Sequence, residues 1–283
     1  MFPRVYRSAE HEMSDDDWVA AARLAVPPSA HLTGITRIQQ LGLGYGPRRP
    51  IRFVVESDLH LALDGIFLHR TKRLAPTDAV GVTVPAAFIA YCARARVVDA
   101  IKVGDWLLHH GHMNCDDVRG LALSALWRDG APEAVWILDH LDGRSRSLKE
   151  SEVRAVLGFA GLPRAETNVA VDVREDLEVI GDLVYRDHGL VVEYEGSHHQ
   201  EDRDQYSQDL DRYALLRGAN VPYVQVTKEK LARPKTLVGE VYRALLALGY
   251  SGPPPAFGEQ WRQLFLSVTV AVGPRRDRPP AQR

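Results

Sequence analysis

Cysteine is scarce in this chain: Cys92 and Cys115 are the whole complement in 283 residues. Two thiols cannot build a disulfide framework, and neither has the C-x-x-C neighbour that a zinc site uses. A reducing cytoplasm is the compartment this usage predicts. Long apolar runs are missing too, and none approaches the ~20 residues needed to cross a bilayer. The first residues, Met1 to Arg7, lack the apolar core of a secretory signal. No charge of one sign dominates, since 35 basic and 37 acidic residues leave a formal charge of -2. That balance excludes a general nucleic-acid coat and leaves only local basic patches. Internal repeats are absent. What is present is 45% hydrophobic and 25% charged, an ordinary globular composition on a chain long enough for two domains.

The front half reads as mixed helix and strand. Ser14-Asp15-Asp16-Asp17 ahead of Trp18 to Leu24 is a helix start, with acids at the positive end of the helix dipole and Pro27-Pro28 as the stop. Thr33 to Leu41 reads as a second short helix ended by Gly42 and Gly44. Ile51 to Val55 and Gly65 to His69 read as strands, and Pro85 to Arg94, Val97 to His109, Val118 to Leu126 and Pro132 to Leu141 as helices.

The most informative stretch is Glu193-Tyr194-Glu195-Gly196-Ser197-His198-His199, directly after the apolar run Gly189 to Val192. A β-branched run ending in two carboxylates on alternate residues reads as a buried strand that carries acids to its end. Upstream, Val179 to Tyr185 is another strand with one acid, Asp182. Carboxylates brought together on an apolar sheet need a cation or a hydrogen-bond network in compensation. Hard oxygen ligands of this kind suit magnesium, which activates water against a phosphodiester.

From about Ser147 to Gly249 the chain resembles nuclease-like domains related to very-short-patch-repair (Vsr) endonucleases, members of the PD-(D/E)xK restriction-endonuclease superfamily. The likeness runs through the helix start Ser147-Leu148-Lys149-Glu150, Asp182 in the first core hairpin, and Glu193-Tyr194-Glu195-Gly196 with His199. It continues through Arg203, Asp209 and Arg212 at the next helix and Val221 to Thr227 at the following strand. The resemblance implies an α/β fold with a restriction-endonuclease-like mixed sheet flanked by helices, preceded by an N-terminal α+β domain. The expected division is 1–141, 142–250, and a partly disordered Pro/Arg-rich tail, 251–283. Within the tail, Gly258 to Leu266 is expected to form one short helix that buries Trp261, Leu264 and Phe265.

The front half also resembles, faintly, the middle region of AbiEi-type antitoxin proteins, through Pro28 to Thr36 and Val82 to Phe88. Those proteins begin with a winged helix-turn-helix that this sequence does not carry. Phe2 to Tyr6 looks like the strand that follows that module. The resemblance implies DNA as partner, and a toxin or defence-system protein as a second one.

The residues implied as catalytic are Asp182, Glu193, Glu195 and His199, with magnesium or manganese held by Asp182, Glu193, Glu195 and Glu150. Each also has a plainer reading. Ser147 and Glu150 form an S-x-x-E capping box whether or not Glu150 reaches a metal. Asp182 could occupy a turn or an edge, and Glu193 could pair with Arg212 or Arg217. Glu195 stands where most active PD-(D/E)xK nucleases hold a lysine that orients water and stabilises charge, and it offers instead a metal ligand or a general base. His199 is a candidate acid or base at neutral pH. Asp209 with Arg212 fits an i,i+3 ion pair on an amphipathic helix whose buried stripe is Tyr206, Leu210, Tyr213 and Leu216. Arg203, Arg212 and Lys228 are the nucleic-acid contacts expected, and Gln225 is a water-orienting candidate. Arg48-Arg49 and Arg70 with Lys72-Arg73 are further short basic clusters. Two functions fit: a magnesium-dependent DNA endonuclease serving defence or repair, or a non-catalytic antitoxin-like regulator that keeps the fold for binding DNA.

Overall fold

The structure, a computed structural model, describes residues 2–174, 177–195 and 214–273. In chain order its first elements are α1 (Asp15–Ala25), β1 (His31–Leu32), α2 (Gly34–Gln39), β2 (Ile51–Val55), β3 (Ile66–Arg70) and α3 (Val84–Cys92). Next come α4 (Val97–His109), α5 (Cys115–Ser124), α6 (Ala131–Leu138), α7 (Leu148–Phe159), β4 (Glu166–Arg174), β5 (Leu177–Tyr185) and β6 (Leu190–Tyr194). The last are β7 (Tyr223–Val226), α8 (Lys228–Leu231), α9 (Pro234–Ala247), α10 (Glu259–Gln263) and α11 (Val268–Val272). The protein is therefore mixed α/β. Two compact units share the chain: Met1–Ala95 with Met113–Leu138, and Arg96–His112 with Asp139–Arg283. Among the described residues no helix is long and apolar enough to cross a membrane.

In the first unit β2 lies between β1, antiparallel to it, and β3, parallel to it. The helix start expected at α1 is present and takes the form of a capping box: Asp17 N donates to Ser14 Oγ at 3.2 Å, and Ser14 N donates to Asp17 Oδ2 at 2.9 Å. Phe2, Val5, Val19, Ala22, Val26, Leu32, Ile51 and Phe53 close one apolar cluster. Phe2 to Tyr6 differs from the strand expected there. Arg4 sits at φ 62°, and Val5 N donates to Phe2 O at 3.1 Å, so the segment turns. Phe2 and Val5 reach the core from that turn. Gly130, at φ 89°, meets the α3 backbone so closely that a Cβ would stand 1.8 Å from Ile89 O. Only glycine permits that approach.

The second unit holds a four-stranded sheet in the order β4-β5-β6-β7, antiparallel across the first two pairs and parallel across β6-β7. Helix α7 lies against β5 and β6, and α9 against β6 and β7. Leu183, Leu190, Val191 and Val192 on the strands, Val153, Val156 and Leu157 on α7, and Leu237, Val238 and Val241 on α9 are all buried. Helix α4 packs on α7, and their link is polar. Asp105, fully buried, accepts from Arg154 Nη2 at 2.7 Å and from Asp142 N at 2.7 Å. Burial pushes the Asp105 carboxyl above its ordinary value even against the Arg154 charge.

The segment after α9 closes the start of α4. Arg96 offers α4 no side-chain cap, and the first amides, Val97 N and Val98 N, donate instead to Leu266 O at 2.9 Å and Leu264 O at 3.0 Å. Trp261 and Leu264 are buried there, as the aromatic pattern around α10 leads one to expect, and Phe265 is left exposed.

Candidate functional site: a carboxylate pair at the end of a sheet

Strands β5 and β6 form a hairpin through the short turn Arg186–His188 and Gly189, which takes φ 62°. Its register pairs Tyr185 with Leu190, Val184 with Val191 and Leu183 with Val192. One further step brings Asp182 level with Glu193. There the carboxylates take over from the backbone as acceptors. Asp182 N donates to Glu193 Oε1 at 3.2 Å, and Tyr194 N donates to Asp182 Oδ2 at 2.8 Å. Each acid is thus fixed by an amide of the opposite strand. Beside it, a Cβ on Gly181 would come within 2.7 Å of Val184 Cγ2 and 2.9 Å of Val191 Cγ1. Glycine at 181 is what lets the strand narrow before the acid.

Glu193 is fully buried, whereas Asp182 and Glu195 are half-buried. The pair therefore steps from the core toward the surface along β6. The parallel register sets Gln225 of β7 across from Glu193, and Gln225 Nε2 donates to Glu195 Oε2 at 2.8 Å. Glu195 N donates to Val226 O at 2.9 Å, extending the pairing by one residue past the strand. A cation approaches from α8, where Lys230 Nζ donates to Gln225 O at 2.9 Å and pairs with Glu240 at 2.6 Å. Lys228, on the first turn of α8, is exposed.

Tyr194, alternating with the two glutamates, points to the other face. Burial raises its hydroxyl pKa, Lys149 opposes this, and Glu152 and Glu229 add to it. Burial alone would push the Glu152 carboxyl up. Its hydrogen bonds from Lys149 (2.9 Å) and Lys102 (3.0 Å), with their charges, overcome that and hold it below the ordinary value. A cavity of about 240 Å³ in this unit is lined by Arg154, Phe159, Leu162, Leu183 and Tyr185, among others. Asp182, Glu193 and Glu195 are not in its wall.

The sequence-derived candidates are distributed as follows. Asp182 and Glu193 come together, and Glu195, two residues on along β6, is held by Gln225. Glu150 takes a structural position: it accepts from Arg146 N at 2.9 Å and from Asn168 Nδ2 at 2.6 Å, while Glu150 N donates to Ser147 Oγ at 3.1 Å. Among the described residues, no group of three or more His, Cys, Asp or Glu is arranged to hold a metal ion. His198, His199, Arg203, Asp209 and Arg212 lie outside the described residues. Leu216, the last position of the expected helical stripe, is fully buried against Val173 and Val179. Sequence reasoning passed over Glu240 and Asn168, which hold Lys230 and Glu150. Neither belongs to a local pattern, because each partner is ten or more residues away. Comparison with family models, with curated proteins and with solved structures finds no match for this chain.

Proposed function

We propose that the protein is a metal-dependent DNA endonuclease of the PD-(D/E)xK kind, serving defence or repair. The observation that carries this reading is the reciprocal fixing of Asp182 and Glu193 by each other's strand. Burying a carboxylate costs several kcal/mol unless something compensates, and a second carboxylate one strand away adds repulsion. A purely structural sheet gains nothing from that arrangement. The order α7-β4-β5-β6-β7, with β6 and β7 parallel, supports a restriction-endonuclease-like core, and the acids occupy the hairpin and strand where that superfamily carries its own.

The donor set is all oxygen, which fits a hard cation such as magnesium or manganese. Asp182 and Glu193 are the residues that would hold it; Glu195, bonded to Gln225 and not grouped with them as a three-acid set among the described residues, is the candidate for a further ligand. Such an ion supplies Lewis acidity toward a phosphodiester and lowers the pKa of water. Gln225 fixes the orientation of Glu195, and Glu195 is the half-buried base from which a proton can leave to solvent. His199 is the second candidate for proton transfer, and Arg203, Arg212 and Lys228 are candidate phosphate contacts. Glu150 is assigned to the helix cap.

A second reading has its own observation in favour. Glu195 replaces the lysine typical of active relatives, and its carboxylate is engaged by Gln225. A DNA-binding regulator of the antitoxin-like kind would keep this fold and cut nothing. The deciding experiment is nicking of supercoiled plasmid and cleavage of single-stranded DNA with magnesium, with manganese and with chelator. The endonuclease reading expects metal-dependent nicking that Glu193→Ala abolishes and that His199→Ala slows by roughly 10²–10⁴. Protein that binds DNA and nicks no substrate under any metal supports the regulator.

A further inference from the structure

Arg37 pairs with Asp78 at 2.7 Å, Arg48 with Asp15 at 3.1 Å and Arg70 with Asp58 at 2.7 Å. Arg52 and Arg94 form no such pair among the described residues. Their guanidinium carbons stand instead over one ring, that of Phe67, at 5.1 Å and 4.7 Å from its centre. Two cations this near to a common point lie within about 10 Å of each other. Arg52 on β2 is directly opposite Phe67 on β3 in the parallel register, and Arg94 follows α3.

Contact with the ring steadies each guanidinium by ~0.5–1 kcal/mol at an exposed site, but it neutralises neither charge. Burial, and then the charge of Arg94, hold the Arg52 guanidinium below its ordinary pKa. His69, two residues past Phe67 on β3, is lowered mainly by burial, with Asp129 acting upward and Arg94 downward. The patch holds two guanidinium forks over one aromatic ring, with the acid Asp129 acting on His69 nearby. Guanidinium forks match phosphate oxygens in pairs, and an anion between them would relieve the like-charge repulsion.

We propose that Arg52 and Arg94 clamp the backbone phosphates of a nucleic-acid strand. This rests on the reading of the protein as one that acts on DNA, and adds a contact in the unit that carries no acid pair. Phosphate contacts of this type position a strand without reading its bases.

The test uses the full chain, in chelator so that no cleavage occurs, and measures anisotropy of a labelled single-stranded oligonucleotide across a salt series. Replacing both residues, Arg52→Gln with Arg94→Gln, is expected to weaken binding by about tenfold at low salt and to flatten the log–log salt slope by about 1.4, the share of two single-strand phosphates. Arg94→Gln alone, at an exposed position, is expected to take about half of each effect, and it guards against a folding defect from Arg52. Arg94→Lys should bind between wild type and Arg94→Gln, since it keeps charge and loses the fork. Unchanged affinity and slope in both glutamine variants overturn the clamp, and so does a wild-type protein that binds inorganic phosphate but no oligonucleotide. Oligonucleotide binding that needs both arginines, in a protein that never nicks DNA with magnesium, leaves the clamp standing and counts against the endonuclease alone.

Discussion

Asp105 and Glu193 are both fully withdrawn from water, and what surrounds them differs. Asp105 sits in the middle of α4 and is met by the Arg154 guanidinium and the Asp142 amide, in a network that continues through Thr167 Oγ1 to Asp142 Oδ2 at 3.1 Å. Opposite charge answers it, and the result ties one helix to another. Glu193 sits at the end of β6 and meets the amide of a residue that is itself an acid. Like charge stands beside it, and the chain leads on to the half-buried Glu195. Burial of a carboxylate therefore says little about its purpose. Among the described residues the contrast lies in the group that faces each one: a guanidinium ties Asp105 to a second helix, and an acid of the next strand faces Glu193.

The sharpest way to break this contrast is to remove each acid and ask what is lost. Glu193→Ala is expected to eliminate metal-dependent nicking while the urea midpoint falls only modestly. A variant that nicks at the wild-type rate would end the assignment. Asp105→Ala should do the reverse, costing about 3–5 kcal/mol in equilibrium denaturation because Arg154 is left buried without its partner. Pairing Asp105→Leu with Arg154→Met should recover most of that loss, and a double variant no better than the single one would refute the pairwise account. On the acid-pair side, Asp182→Asn should weaken manganese binding in calorimetry without lowering the melting temperature. Equal affinity in the two proteins would remove Asp182 from the ligand set.

Smaller effects sharpen the comparison at its edges. Ser147→Ala should cost about 1 kcal/mol as a lost helix cap, and Glu150→Gln should leave manganese affinity unchanged if Glu150 serves α7 alone. Glu152 and Asp142 both titrate below their ordinary values in the folded protein, each against the push of burial, through their lysine and arginine partners. A depressed folded value contributes stability at pH above the unfolded carboxylate range, and that contribution is lost as pH falls through the folded value. Stability should thus decline on acidification below about pH 4.5, with a shallower decline in Glu152→Gln. An identical acid limb in the two proteins would show that the lysine pairs are solvent-screened.

Much of this was legible in the chain itself. Asp182 as the lone acid within one strand-like run and Glu193 at the end of another could be read directly, and the α1 and α7 starts follow from Ser14 and Ser147. Strand β4 was not read as a strand. Its polar residues Glu166, Asn168 and Asp172 mask the alternation, and Asn168 takes φ 51°. The turn at Phe2 to Tyr6 was hidden as well, because the left-handed Arg4 has no sequence signature of the kind glycine gives. Links between residues far apart, such as Arg154 with Asp105 or Gln225 with Glu195, are set by packing, and no local pattern announces them.

The turn at Arg186–His188 and Gly189 acts as a ruler for the chemistry. It alone counts off the distance between Asp182 and Glu193, since the hairpin register is fixed where the two strands are joined. A single residue inserted there would have to be absorbed by the turn or passed on as a slip, and a one-residue slip sends every β6 side chain to the opposite face. Val192 would then occupy the place of Glu193, in a sheet otherwise intact. Length in this loop is therefore the sensitive trait: Gly189 with its positive φ and Arg186 with its pair to Glu166 constrain composition, and the number of residues decides whether the two acids ever meet.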